Sequence, residues 1–199
     1  MTSRMSPLPM TIYTIGHGTR PIDEFLAILD AHGILHLVDV RTAPGSRRNP
    51  QFGKQELESA LNDHGVRYTH LSSLGGFRKS QPDSPNCGWR NGAFRGYADY
   101  MATDEFRVGL ETLLEFATES PTAIMCAEAV PWRCHRSLIA DALLARGVEV
   151  IDVMSLANSR PHVLTSFARV DGERVTYPAG TSDVEGDGLG TTSHPNRSR

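Results

Sequence analysis

The chain has almost no lysine: Lys54 and Lys79 are the only ones, and every other basic residue is arginine. Either the base composition of the source genome or selection for arginine's bidentate grip on anions accounts for such a bias. A basic surplus is lacking too. The formal charge of -3 argues against a generic coat for nucleic acid, because nonspecific binding draws its affinity from counterions released by excess cationic charge. A local basic face is left open. There is no long hydrophobic run, so neither a membrane span nor an apolar leader is expected. Cysteine is scarce and odd in number, Cys87, Cys126 and Cys134. That argues against a disulfide framework and for a cytoplasmic protein with reduced thiols.

What is there has the rhythm of βαβ units. At 199 residues the chain can bury one core. TIYTI (11–15) reads as a strand that stops at Gly16-His17-Gly18, and PIDEFLAILDAHG then carries apolar residues at helical spacing. Strands are expected at 35–40, 66–71, 122–127 and 148–153, and helices at 54–65, 104–117 and 134–147. Five strands with intervening helices predict a parallel, doubly wound sheet. Between them, 72–95 is rich in Gly, Ser, Pro and Asn and reads as a long surface loop. A small hairpin around Asp171-Gly172 is expected within 168–178. The organisation predicted is a flexible start (1–10), one α/β domain (11–178) and a disordered tail (179–199), the last small, polar and poor in large apolar groups.

In open parallel sheets ligands bind beyond the carboxyl ends of the strands. That rule selects Gly16, His17 and Gly18, then Asp39 and Arg41, then the long loop, then Cys126 to Arg136. Gly16-x-Gly18 lacks the third glycine of a dinucleotide fingerprint. His17 between glycines is either a ligand or catalytic residue or an ordinary turn histidine. Asp39 and Arg41 end an apolar strand, where charge is expensive unless paired or solvated. Two readings are open: a salt bridge tying down the strand end, or Arg41 as an anion clamp with Asp39 as base. Four basic residues and no acidic one lie between Arg41 and Lys54, and five lie between Arg67 and Arg95 against Asp83 alone. Phe52, Phe77, Trp89, Phe94 and Tyr97 share those loops. They suit stacking on a base, or they fold the loops back onto the core.

The densest stretch is CAEAVPWRCHR, 126 to 136. It places Cys126 at a strand's carboxyl end and Cys134, His135 and Arg136 at a helix's amino end, where backbone N-H groups and the dipole favour anions and thiolates. Cys126, Cys134, His135 and His17 would make a metal set, but Cys-x-x-Cys spacing is missing. A phosphatase-type loop is off register, since six residues separate Cys126 from Arg133. Glu128 could share acid and base work with Asp39 or attack a glycosidic carbon.

The order TIGHGTRPIDEFL, LVDVRTAPGSRRNPQF, YTHLSSLGG, FRGYADYM and CAEAVPWRCHRSLIA resembles the domain-of-unknown-function family 488 (DUF488), over about residues 11–155. The Cys-x-Glu followed by Cys-His-Arg is its most specific part. The resemblance implies an α/β, Rossmann-like three-layer sandwich with a mostly parallel sheet of about five strands and helices on both faces. It also implies a site from Gly16, Asp39, Arg41, Pro44, Tyr68, Cys126, Glu128, Cys134, His135 and Arg136. The family pattern often has serine at the position of His17, so no shared role follows for this imidazole. The family supplies no settled reaction.

These residues lead first to an enzyme acting on a phosphate-bearing or nucleotide-like substrate. Arg41, Arg133 and Arg136 would hold the anion, Cys126 or Glu128 would act at the reacting centre, and His135 or Asp39 would move protons. The alternatives are a module that binds a nucleotide or nucleic acid without chemistry, and a metal or thiol redox protein. No metal ligand is assigned, the cofactor is unknown, and the partners left open are a small-molecule or nucleotide-like ligand and nucleic acid.

Overall fold

A computed structural model describes residues 10–180 apart from Ser46. Of the flexible start (1–10) and disordered tail (179–199) expected from the sequence, residues 1–9 and 181–199 lie outside the described residues. No helix among the described residues is long and apolar enough to cross a membrane.

β1 (Thr11–Gly16), β2 (His36–Asp39) and β4 (Thr122–Cys126) lie inside the sheet. Nearly all of their residues are buried, as parallel strands covered on both faces require. β3 (Arg67–His70) and β5 (Glu149–Val153) flank them, and β6 (Ser159–Pro161) adds an antiparallel edge strand that has no apolar pattern in the sequence. The order is β3-β2-β4-β1-β5-β6. β7 (Arg169–Asp171) and β8 (Arg174–Thr176) form the expected hairpin, with Gly172 at φ 58 in its turn.

The helices form because their apolar residues recur at three and four. α1 (Ile22–Ala31) buries Phe25, Ile28 and Leu29, and α2 (Lys54–Asp63) buries Leu57 and Leu61. Both pack with Ile15, Leu37 and Met125 on one face of the sheet. α3 (Gly92–Tyr100), α4 (Asp104–Glu119) and α5 (Arg136–Leu144) pack with Ile12, Val38 and Ile124 on the other. Three layers result, the architecture the resemblance implied.

The stretch 72–95 holds more structure than its composition suggests. It contains a 3-10 turn, Ser72–Leu74, and the first turn of α3, capped by the Asn91 side chain accepting from Ala93 N. The buried Asp99 carboxylate accepts from Ser84 Oγ at 2.5 Å, Asn86 Nδ2 at 2.8 Å and Gln81 N at 2.9 Å. Those bonds fasten the loop to α3. Trp89 and Phe94 pack against each other, and Trp89 packs on Phe167 and Tyr177.

Chain direction positions the site. From β1 the chain moves toward β2, and from β4 it moves the opposite way to β5, although β1 and β4 are neighbours. The helices that follow them lie on opposite faces of the sheet, α1 on one and α5 on the other, so their carboxyl ends form a topological switch point.

Candidate functional site

The switch point gathers the Gly-His-Gly turn and the cysteine stretch. Pairing of β1 with β4 continues past both strands, His17 N donating to Cys126 O and Gly18 N to Ala127 O, each at 3.0 Å. Gly16 is required by this closeness: a Cβ there would lie 1.8 Å from the Glu128 carbonyl oxygen and 2.7 Å from an Arg136 guanidinium nitrogen. Arg20, which the sequence did not single out, donates to the carbonyls of Gly16 and Met154 and so fastens the turn to the end of β5.

Cys126 and Cys134 are 4% and 5% exposed, and their sulfurs are joined as a disulfide, with Cα atoms 7.7 Å apart. This corrects the expectation that all thiols are reduced. The chain turns back through a 3-10 turn, Pro131–Arg133, and delivers Cys134 beside the strand end that carries Cys126, a closure that a separation of 8 residues does not reveal. Cys87 is the free cysteine, donating to Ser84 O.

His135 lies beside this pair. Its Nε2 is 3.0 Å from Val40 O and its Nδ1 3.5 Å from Cys134 Sγ. A carbonyl only accepts, so Nε2 carries the proton and Nδ1 keeps a lone pair toward the sulfur. Burial lowers the imidazole pKa to about 4, Arg136 and Arg78 pushing the same way, so the ring is neutral near pH 7. The two sulfurs and His135 Nδ1 lie within 4.8 Å of one another, a set of donors that could hold a metal ion.

Asp39 and Arg41 adopt the salt-bridge alternative. Arg41 Nε lies 2.9 Å from Asp39 Oδ1, and the terminal nitrogen 2.6 Å from Oδ2. Tyr68 OH donates to the same Oδ2 at 2.8 Å, and the tyrosine pKa is raised, by burial first and by Asp39 second. The other guanidinium nitrogen donates to Phe52 O at 2.9 Å and faces His17 Nε2 at 3.4 Å. Asp39 is thus saturated with donors. His17 stacks on Phe52 at 4.2 Å, has Nδ1 2.8 Å from Gly18 O, and is lowered to about 4, chiefly by burial.

The remaining expected residues divide. Arg136 is fully buried, donates to Glu128 O at 2.6 Å and lies 3.4 Å from Thr14 Oγ1; its Nε is buried without a hydrogen-bond partner. Burial lowers its pKa to about 10, against the pull of Asp152 and Glu128. The Glu128 and Arg133 side chains are exposed. Pro44 is half-buried, and its carbonyl accepts from Lys54 N. Of the loop aromatics, Phe52 and Tyr97 are core residues, whereas Phe77 is 93% exposed.

A second ionisable cluster, with no signature in the sequence, lies behind the cysteine loop. His162 bridges two buried carboxylates, Nδ1 3.0 Å from Asp152 and Nε2 3.2 Å from Asp141. Tyr177 OH also donates to Asp141, and Thr14 Oγ1 to Asp152. A cavity of about 450 Å³ opens beside it, lined among others by Trp89, Trp132, Asp152, Arg160 and His162. No sequence spacing links these positions: Asp141 lies on α5, Asp152 on β5, and His162 just after β6, the strand that pairs with β5.

A family model described as "Domain of unknown function DUF488" matches residues 21–143, a stretch that contains every expected site residue except Gly16 and His17. No curated protein and no solved structure matches the chain.

Proposed function

The chain belongs to the DUF488 family, and from that premise we propose that it works by reversible thiol–disulfide exchange at Cys126 and Cys134. The observation that carries this reading is the pairing of the two sulfurs at the switch point, with the His135 lone pair 3.5 Å from one of them. The co-reactant is a small thiol. Its thiolate attacks Cys126 Sγ, a new S–S bond forms there, and the Cys126–Cys134 bond breaks with its electron pair going to Cys134. Cys134 leaves because it lies two residues before the start of α5, whose amino end stabilises a thiolate. It then takes a proton from solvent, and its S–H bonds to His135 Nδ1. A second small thiolate attacks the outer sulfur at Cys126, the mixed disulfide breaks with its electron pair going to Cys126 Sγ, and that thiolate takes a proton from solvent, leaving two protein thiols and one small disulfide. The reverse sequence oxidises the pair. Neutral, His135 orients the S–H and carries no proton of its own at Nδ1.

An aromatic disulfide whose released thiolate is coloured tests this in a Cys87→Ser background. The reduced protein is expected to release two thiolates per chain and keep no adduct, because the second cysteine closes on the first. Cys126→Ser is expected to release one and keep one adduct, at Cys134. Stable adducts on both cysteines of the parent protein would overturn the proposal.

One observation favours the phosphate-bearing substrate instead, the Arg136 Nε buried without a partner. The other donors of Arg136, and those of Arg41 at Asp39 and Phe52, already meet protein acceptors. Phosphate that protects the chain against urea, and fails to protect Arg136→Gln, would support that second reading.

A further inference from the structure

We infer that the reduced pair and His135 form a binding site for one Zn2+ ion, with Cys126 Sγ, Cys134 Sγ and His135 Nδ1 as ligands and the fourth position open. It rests on the thiol reading only in requiring that the pair be reducible; exchange itself is not needed.

Two independent features agree on it. The donor atoms lie within 4.8 Å of one another, and a tetrahedral ion with Zn–S near 2.3 Å and Zn–N near 2.0 Å sets its ligands roughly 3.3–3.8 Å apart. Small rotamer adjustments bring the set to those distances once the sulfurs separate. Finally, His135 gives its Nε2–H to Val40 O at 3.0 Å, and a backbone carbonyl or carboxylate on the far nitrogen is what holds most metal-binding imidazoles in place.

Chemistry selects the ion. Two thiolates and an imidazole are soft to borderline donors, which suit Zn2+ and disfavour Mg2+ and Ca2+. Two thiolate charges cancel the 2+ charge, so the filled site is neutral, a condition that nearly closed surroundings impose. Gly76 keeps the approach to the imidazole clear: a Cβ there would come within 3.0 Å of Nδ1. Three protein ligands plus an open position is the arrangement of zinc sites that bind a water or substrate. Filling the site displaces two thiol protons to solvent, and oxidation of the pair to the disulfide expels the ion.

The test uses the full chain carrying Cys87→Ser, reduced and kept free of oxygen, with its thiols counted before metal is added. Co2+ is titrated first and then displaced by Zn2+ against a chromophoric chelator. The expected result is one ion per chain, a sulfur-to-cobalt charge-transfer band, and two thiols shielded from alkylation. Cys126→Ser, Cys134→Ser and His135→Ala should each weaken binding by at least about 100-fold, the upper end of what losing an outer partner of a metal ligand costs. His135→Cys should restore it, which separates loss of a ligand from loss of the fold. Two counted thiols with no charge-transfer band and no zinc uptake would overturn the inference, and so would His135→Ala binding zinc as tightly as the parent. The thiol reading fails separately: zinc bound by a pair that never closes to a disulfide removes the exchange proposal and leaves the zinc site standing.

Discussion

His135 Nε2 lies 3.0 Å from the carbonyl oxygen of Val40, a residue 95 positions earlier in the chain. The contact joins the start of α5 to the end of β2 across the carboxyl rim and decides which imidazole nitrogen faces Cys134. Without it the ring could turn its N–H toward the sulfur, and the lone pair that serves both proposed roles would be lost.

Replacing His135 by alanine should therefore leave Val40 O without its donor and lower stability by about 1–3 kcal/mol, the usual penalty for a buried acceptor left unmade. Urea unfolding of the reduced protein and of the variant measures it. A change within experimental error would mean that the contact is not made in solution.

Asp39→Asn should be among the most damaging single changes. It leaves the Arg41 guanidinium, 7% exposed, without a counter-charge, and removing one partner of a buried ion pair typically costs about 3–5 kcal/mol. Tyr68→Phe removes one hydrogen bond to the same carboxylate and should cost nearer 1 kcal/mol. Equal effects of the two would contradict the hierarchy in which the ion pair, and not the tyrosine, holds the end of β2.

Gly16→Ala should fail to fold or lose about 3 kcal/mol or more, since overpacking that meets rigid backbone finds no cheap relief. The obstacle is the Glu128 carbonyl, 1.8 Å from the added carbon. Gly147→Ala is the contrast: its φ of 74 strains an alanine, but open space surrounds it, so only a strain of about 1–2 kcal/mol is expected. Thermal melts of both variants decide between crowding and strain.

Stability should have a maximum in pH. Burial opposes charge on His162, but the carboxylates of Asp141 and Asp152 outweigh it and raise its pKa to about 9, above the ordinary 6.5. A raised histidine stabilises fully below pH 6.5 and loses that contribution as pH climbs through 9. His36 is the reverse case, held to about 4 by burial and then by Arg67. Its contribution is complete above pH 6.5 and disappears as pH falls toward 4. Unfolding free energies from pH 4 to 10 should thus peak near pH 6.5, and His162→Gln should flatten the alkaline side alone. An unchanged alkaline slope in that variant would falsify the assignment of the charge to His162.

Much of this architecture was legible in the residues because its signals are local. β1 to β5 announce themselves as short β-branched or apolar runs, and α1, α2 and α4 as apolar residues at helical spacing. α3 leaves no clear pattern because Gly92, Gly96 and Arg95 dilute it, while its stability comes from distant partners, Tyr97 OH donating to Leu74 O and Asp99 accepting from Gln81 N and Asn86 Nδ2. β6 has three exposed residues and exists only because β5 offers an edge. The cysteine stretch stood out by composition, yet the bond between its sulfurs did not, since spacing says nothing of how a turn folds back. For Asp39 and Arg41, two alternatives were equally legible, and only the coordinates of both side chains select the ion pair. The Asp141–His162–Asp152 bridge left no trace at all, because it joins three elements through side chains alone.

The most direct measurement of the thiol chemistry equilibrates the chain against glutathione buffers from reducing to oxidising, quenches in acid, unfolds, alkylates and weighs the peptides. The expected result is that the thiols of Cys126 and Cys134 disappear together in one two-electron step, linked to each other, while Cys87 reacts independently. Persistence of both as thiols at every ratio, or their conversion one at a time to separate glutathione adducts, would contradict it.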